Sequence, residues 1–170
     1  MTVFNLFRIA ESSRSPRLRP RLERLEERAV PTAAGGAVPL SYLETVVPDG
    51  QVLAKDFLFH LSIVIDGQTQ TVPGGIGLPL GQVGEEPIHT HNTSGLIHVE
   101  STENLPFRLQ DFFRVWGRTF SRNDILDHAT GAGEKITMTV NGRPSQAFGS
   151  LLLQKDQQVV IHYGPAHPSR

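Results

Sequence analysis

Between Asp56 and Asp66 the chain alternates with a period of two. Phe57, Phe59, Leu61, Ile63 and Ile65 fall on one side, Leu58, His60, Ser62 and Val64 on the other. Successive strand side chains point to opposite faces, so this is a strand period. Both sides are largely apolar, which predicts a central strand. Asp66-Gly67 is a turn signal, and Gln68–Val72 is predicted to return as a hairpin partner. Lys135–Val140 alternates similarly and reaches Asn141-Gly142, a second hairpin signal. Ile88–His91, Leu96–Glu100, Ser150–Leu153 and Gln158–Tyr163 read as shorter strands, and Phe107–Leu109 as the end of another. Pro73–Gly84, rich in Gly and Pro, reads as a loop. Gln110–Trp116 is the one good short helix, with Phe112, Phe113, Val115 and Trp116 to cover a sheet and Gly117 to stop it. Ser121–Asp124 is predicted to cap another short helical turn.

Together these elements predict an α+β, β-rich fold: a small mixed sheet of hairpins with one short helix packed on it. The composition agrees. Gly (16) and Pro (12) are abundant for 170 residues, which favours many turns over long helices. The domain is placed at residues 37–164, followed by a frayed tail at 165–170. Residues 1–36 are a different material and read as a disordered leader and linker. Residues 1–30 hold seven arginines against four glutamates, whereas the rest of the chain is net acidic. Leu18, Leu22 and Leu25 make a weak amphipathic stripe within the arginine-rich stretch. That stretch lacks the roughly 7–15-residue apolar core of a usual secretory signal. No apolar run reaches the roughly 20 residues needed to span a bilayer as a helix. With a net charge of −1 and no aromatic-basic surface, nothing points to nucleic acid as a partner.

The chemistry concentrates in Ile88–Glu100, where three of the seven histidines and a carboxylate lie within thirteen residues. Strand parity puts His89 and His91 on one side, and His98 with Glu100. Two short strands joined across Asn92–Gly95 converge these groups. The predicted metal site is therefore His89, His91 and His98. His60, on the central strand, is the fourth candidate. Glu100 is either a ligand or the acceptor for a ligand's second ring nitrogen. His128 and His162 are isolated, and His167 lies in the tail. Without cysteine there are no disulfides, thiolate zinc sites or blue-copper centre. Nitrogen and oxygen donors fit zinc or copper(II), and sequence does not choose between them.

Three functions follow from this inventory. The first is an exported domain that binds zinc or copper through the histidines. The second is a cell-surface structural or interaction module, in which the histidines form a hydrogen-bond network without metal. The third is a small metal-dependent enzyme. A cupin-type enzyme would carry a glutamate three or four residues after its H-x-H pair, and Asn92-Thr93-Ser94-Gly95 offers none. Gly74-Gly75-Ile76-Gly77 lacks the lysine of a phosphate loop.

Two resemblances add an address and a family. Leu25-Glu26-Glu27-Arg28-Ala29-Val30-Pro31 resembles the end of the N-terminal sorting segment on many exported planctomycete proteins, which implies export. Read from the residues alone, the same stretch is equally an arginine-rich arm for a polyanion. His60–Gly67, Val72–Gly77, His89–Ser101, Phe107–Gly117 and Val140–Gly142 resemble a pattern in small exported bacterial and archaeal proteins. The chain departs from it at Asn92, where that pattern has aspartate, and at Arg108–Asp111, where it has Thr-Leu-Gly-Gln. This resemblance implies a shared fold and histidine site, and no activity.

Overall fold

The computed structural model of the protein describes residues 37–166. The leader, and the sorting role expected of it, lie outside these residues. In chain order, α1 (Leu40–Leu43) precedes β1 (Lys55–Ile65), β2 (Gln68–Gln70), β3 (Ile88–His89) and β4 (Leu96–Ser101). Then come α2 (Leu109–Trp116), β5 (Thr119–Phe120), β6 (Asp124–Leu126) and β7 (His128–Ala129). β8 (Glu134–Val140), β9 (Arg143–Ser145), a 3-10 turn at Phe148–Ser150 and β10 (Gln158–Pro165) complete the domain. The fold is α+β and β-rich, as the periodicity predicts.

The long strand β1 organises the main sheet, whose order is β3-β4-β1-β10-β8-β9 with β2 also on β1. One edge of β1 is shared: Lys55–His60 pairs antiparallel with β4, and Ile63–Ile65 with β2. The other edge pairs parallel with β10, starting only at His60. Phe59, Leu61, Ile63 and Ile65 are buried, as their shared side predicts. β1 is the central strand predicted, lying between β4 and β10, and on its opposite side His60, Ser62 and Val64 are half-buried and Leu58 is exposed. This sheet has one core face, the usual antiparallel arrangement.

The helix α2 closes that core. Phe112 meets Phe59 edge to face at 6.5 Å, and both are buried. Gly117, at φ 69°, ends the helix in the left-handed region. At the start, the buried Asp111 carboxylate accepts the Arg108 backbone N–H at 2.8 Å and an Arg114 N–H at 3.1 Å. Arg114 also donates to the Val38 carbonyl at 2.6 Å, tying the start of the domain to the helix. The helix packs against β3, the strand that carries His89.

Three local expectations change. Ser121–Asp124 caps no helix: it is the turn of the β5–β6 hairpin, with Ser121 N–H on the Asp124 carbonyl at 2.7 Å. The hairpin is held by Phe120, stacked on Phe113 with centroids 4.6 Å apart, a tertiary contact that overrides the local capping signal. Ser150–Leu153 contributes only a bridge from Leu152 to Arg108, following the 3-10 turn. Pro165, placed in the tail, is the last residue of β10, and the Ala166 N–H bonds the Gly133 carbonyl at 2.7 Å.

The glycine loop positions the histidine segment. Backbone bonds run from Gly75 N–H to the Thr90 carbonyl at 2.7 Å and from Thr90 N–H to the Ile76 carbonyl at 3.0 Å. The buried Thr90 hydroxyl adds a bond to the Pro73 carbonyl at 2.8 Å and accepts the Ile76 N–H at 3.1 Å. The approach is close enough to need glycine. A Cβ on Gly74 would lie 2.8 Å from the His91 carbonyl oxygen, and one on Gly77 would lie 2.4 Å from that of Ile88. Gly77 also has φ +68°, whereas Gly75 has φ +83° and open space around it. Gly75→Ala is therefore expected to cost about 1–2 kcal/mol, the left-handed penalty alone. Gly77→Ala is expected to cost roughly 2–5 kcal/mol, because overpacking adds to that penalty. Urea unfolding of the two variants checks this, and equal losses would show that close packing of the loop does not hold the segment.

Candidate metal centre

The three predicted histidines come together. Ring centroids lie 5.0 Å apart for His89–His91, 4.9 Å for His89–His98 and 4.6 Å for His91–His98. One ligand atom from each ring lies within 4.8 Å of the others. With Zn–N distances of about 2.0–2.1 Å, imidazoles on one tetrahedral zinc have centroids about 5 Å apart. The arrangement arises from register. His89 pairs with His98 across β3 and β4, so directly opposed side chains share a side. The segment leaves β3 after His89 and carries His91 around to the same place, where it is exposed while His89 is fully buried.

His89 is held by one nitrogen. Its Nδ1–H donates to the Glu86 carbonyl at 2.9 Å, which leaves Nε2 as the bare lone pair. Nε2 is buried and has no hydrogen-bond partner. The nearest group is Glu85 Oε2 at 2.7 Å, close but outside hydrogen-bond geometry. Two ligands of one tetrahedral zinc lie about 3.3 Å apart, so a cation seated here moves the Glu85 carboxylate outward from His89. Orphaned buried acceptors are costly unless something satisfies them.

Glu85 is the residue that sequence reasoning missed. Its other oxygen lies 3.6 Å from His91 Nε2, and with His89 and Glu100 it makes a second group able to hold a cation. It lies outside β3 and is fixed by a two-way backbone bridge with Val47. The signal was its position four residues before His89 in Glu85-Glu86-Pro87, which strand parity does not read. Glu100 stands where expected, with Oε1 3.3 Å from His98 Nδ1. It can orient that ring or join the cation as a ligand.

His60 is the predicted residue the structure does not gather in. It pairs with Leu96 in the sheet, and its Nε2 bonds the Ser94 carbonyl at 3.0 Å. That ring supports the turn between the histidines and takes no place among them. His128 packs against Tyr163 at 5.5 Å, and His162 is exposed on β10, which is an interior strand of the sheet. No helix among the described residues is long and apolar enough to cross a membrane. Comparison with protein-family models, curated proteins and solved structures finds no match.

Burial lowers the His89 pKa, outweighing the Glu86 carbonyl and Glu85, which favour the charged ring. The neutral imidazole that results is the form a metal requires. With a folded-state pKa below the unfolded value of about 6.5, the unfolded chain takes up the proton first. The contribution of His89 to stability is thus present above about pH 6.5 and lost as pH falls through the folded value. The Glu86 carboxyl, raised by burial and by Glu44, acts with the opposite sign, losing stability as pH rises through its own range. Chelator-treated protein is expected to lose stability between pH 7.5 and 5.5, and His89→Gln to lose less over that interval whatever its starting value. Urea midpoints at the two pH values check this; parallel losses would remove His89 as the source.

Proposed function

We propose that the chain is an exported domain that binds a divalent transition metal, zinc or copper, through His89, His91 and His98. One carboxylate from Glu85 or Glu100 completes the set. The observation that carries this reading is the convergence of His89, His91 and His98, one ligand atom of each within 4.8 Å of the others. The donor set supports zinc or copper over calcium or magnesium, because three imidazoles suit the former and oxygen donors the latter. Export rests on the resemblance of Leu25–Pro31 to a sorting segment and is tested separately by locating the protein in fractionated source cells.

Untagged protein loaded with zinc or copper, desalted and assayed by elemental analysis is expected to retain one equivalent. His89→Ala and His91→Ala are each expected to weaken binding by at least about 100-fold, beyond the 10–100-fold typical of losing a ligand's supporting partner. Glu85→Gln is expected to weaken it about 10-fold or more, whereas His60→Ala leaves it within about 3-fold. Retention of no metal by the wild-type protein, or equal affinity for wild type and His89→Ala, would overturn the reading.

A further inference from the structure

We propose that a cavity beneath the first half of β1, apart from the histidine cluster, binds a small amphipathic carboxylate. The cavity exists because of the sheet's pairing. β10 covers the edge of β1 only from His60 onward, where His60 is paired with Gln158. The chain leading into β10 closes on β1 through Asp156 N–H to the Leu58 carbonyl at 2.8 Å. Ahead of that point Lys55 and Phe57 face the segment Leu152–Lys155 across an unfilled space of about 390 Å³. That volume falls within the roughly 300–1,000 Å³ of small-molecule sites.

Its walls have two characters. Phe57, Leu105, Phe107 and Leu153 supply apolar surface, with Phe107 and Leu153 belonging to the buried core. Lys55 and Lys155 supply positive charge, and they are two of the three lysines in the chain. No aspartate or glutamate lines the space, and neither lysine forms an ion pair among the described residues. Two lining lysines without ion pairs, beside apolar residues, fit a ligand with one anionic head and a short apolar body. Phosphate sites usually employ arginine forks or glycine-rich backbone cradles. Neither arginine nor glycine lines this cavity, so a carboxylate is the better match. The head lies between the lysines, and the body displaces water from the half-buried Phe57 and Leu105.

The test uses full-length protein and 3-phenylpropionate, with 3-phenylpropanol as its uncharged counterpart, followed by amide NMR shifts and calorimetry. Saturable shifts confined to the residues around Lys55–Phe57, Asn104–Phe107 and Leu152–Lys155 are expected. The alcohol is expected to bind at least about tenfold more weakly, since it loses the charged hydrogen bonds to the lysines. Lys55→Gln and Lys155→Gln are each expected to weaken binding about tenfold, and Lys135→Gln, at the third lysine, to leave it unchanged. Leu152→Trp, at a position 42% exposed, fills the mouth and is expected to abolish binding with the fold intact by circular dichroism. Equal affinity for acid and alcohol overturns the proposal. So does no saturable shift, or equal behaviour of Lys55→Gln, Lys155→Gln and Lys135→Gln.

Discussion

The structure turns on one imidazole sealed at the edge of the core with half its hydrogen bonding settled. His89 is enclosed by β4 on one side and by the glycine loop on the other. Glu86 fixes its Nδ1, and its Nε2 has Glu85 Oε2 at 2.7 Å but no hydrogen bond. Burying a polar atom without a partner costs on the order of 1–3 kcal/mol. A domain of this size, marginal by nature, carries such a cost where a further interaction redeems it. The three neighbouring donors are arranged around that nitrogen, which makes the cost and the candidate site the same feature.

The surrounding fold reads as the support for this arrangement. The strand pairing of β3 with β4 fixes two histidines across from each other, and α2 packs behind β3. Thr90, between His89 and His91, spends its hydroxyl and both backbone groups on the loop Pro73–Gly77. Two rings are thereby held from the backbone outward, with little dependence on their own side-chain bonds. Preorganisation of this kind removes part of the ordering entropy that ligand assembly would otherwise oppose.

Much of the fold was legible because its signals are local. The eleven-residue alternation of β1, the helix with its Gly117 stop and the Asn141-Gly142 turn are each written in consecutive residues. The gathering of His89, His91 and His98 was legible from parity and one short turn. What sequence could not show depends on distant partners. The β5–β6 hairpin is held by Phe120 against Phe113, and the parallel pairing of β1 with β10 joins segments about ninety residues apart. Glu85 was missed because a bridge to Val47, not strand periodicity, brings it to the histidines. His60 was overvalued because register along a strand says which side a ring occupies and not how far it reaches. Its ring is taken by the Ser94 carbonyl.

Burial is graded across the site, and this bears on how a cation would enter under the proposed reading. His91 is the outermost ring, with its side chain 44% exposed, while Glu85, His98 and Glu100 are partly covered and His89 is sealed. A hydrated cation meets these more exposed donors first, and each exchange of water for a donor there needs little rearrangement of the core. The last exchange, onto His89 Nε2, moves the Glu85 carboxylate and not the ring, because Glu86 holds that imidazole in place. The buried end therefore sets how tightly the ion is held, and the exposed end how fast it arrives and leaves. A site built in the opposite order, with its outer ring fixed and its inner ring free, would require the core to open for every exchange.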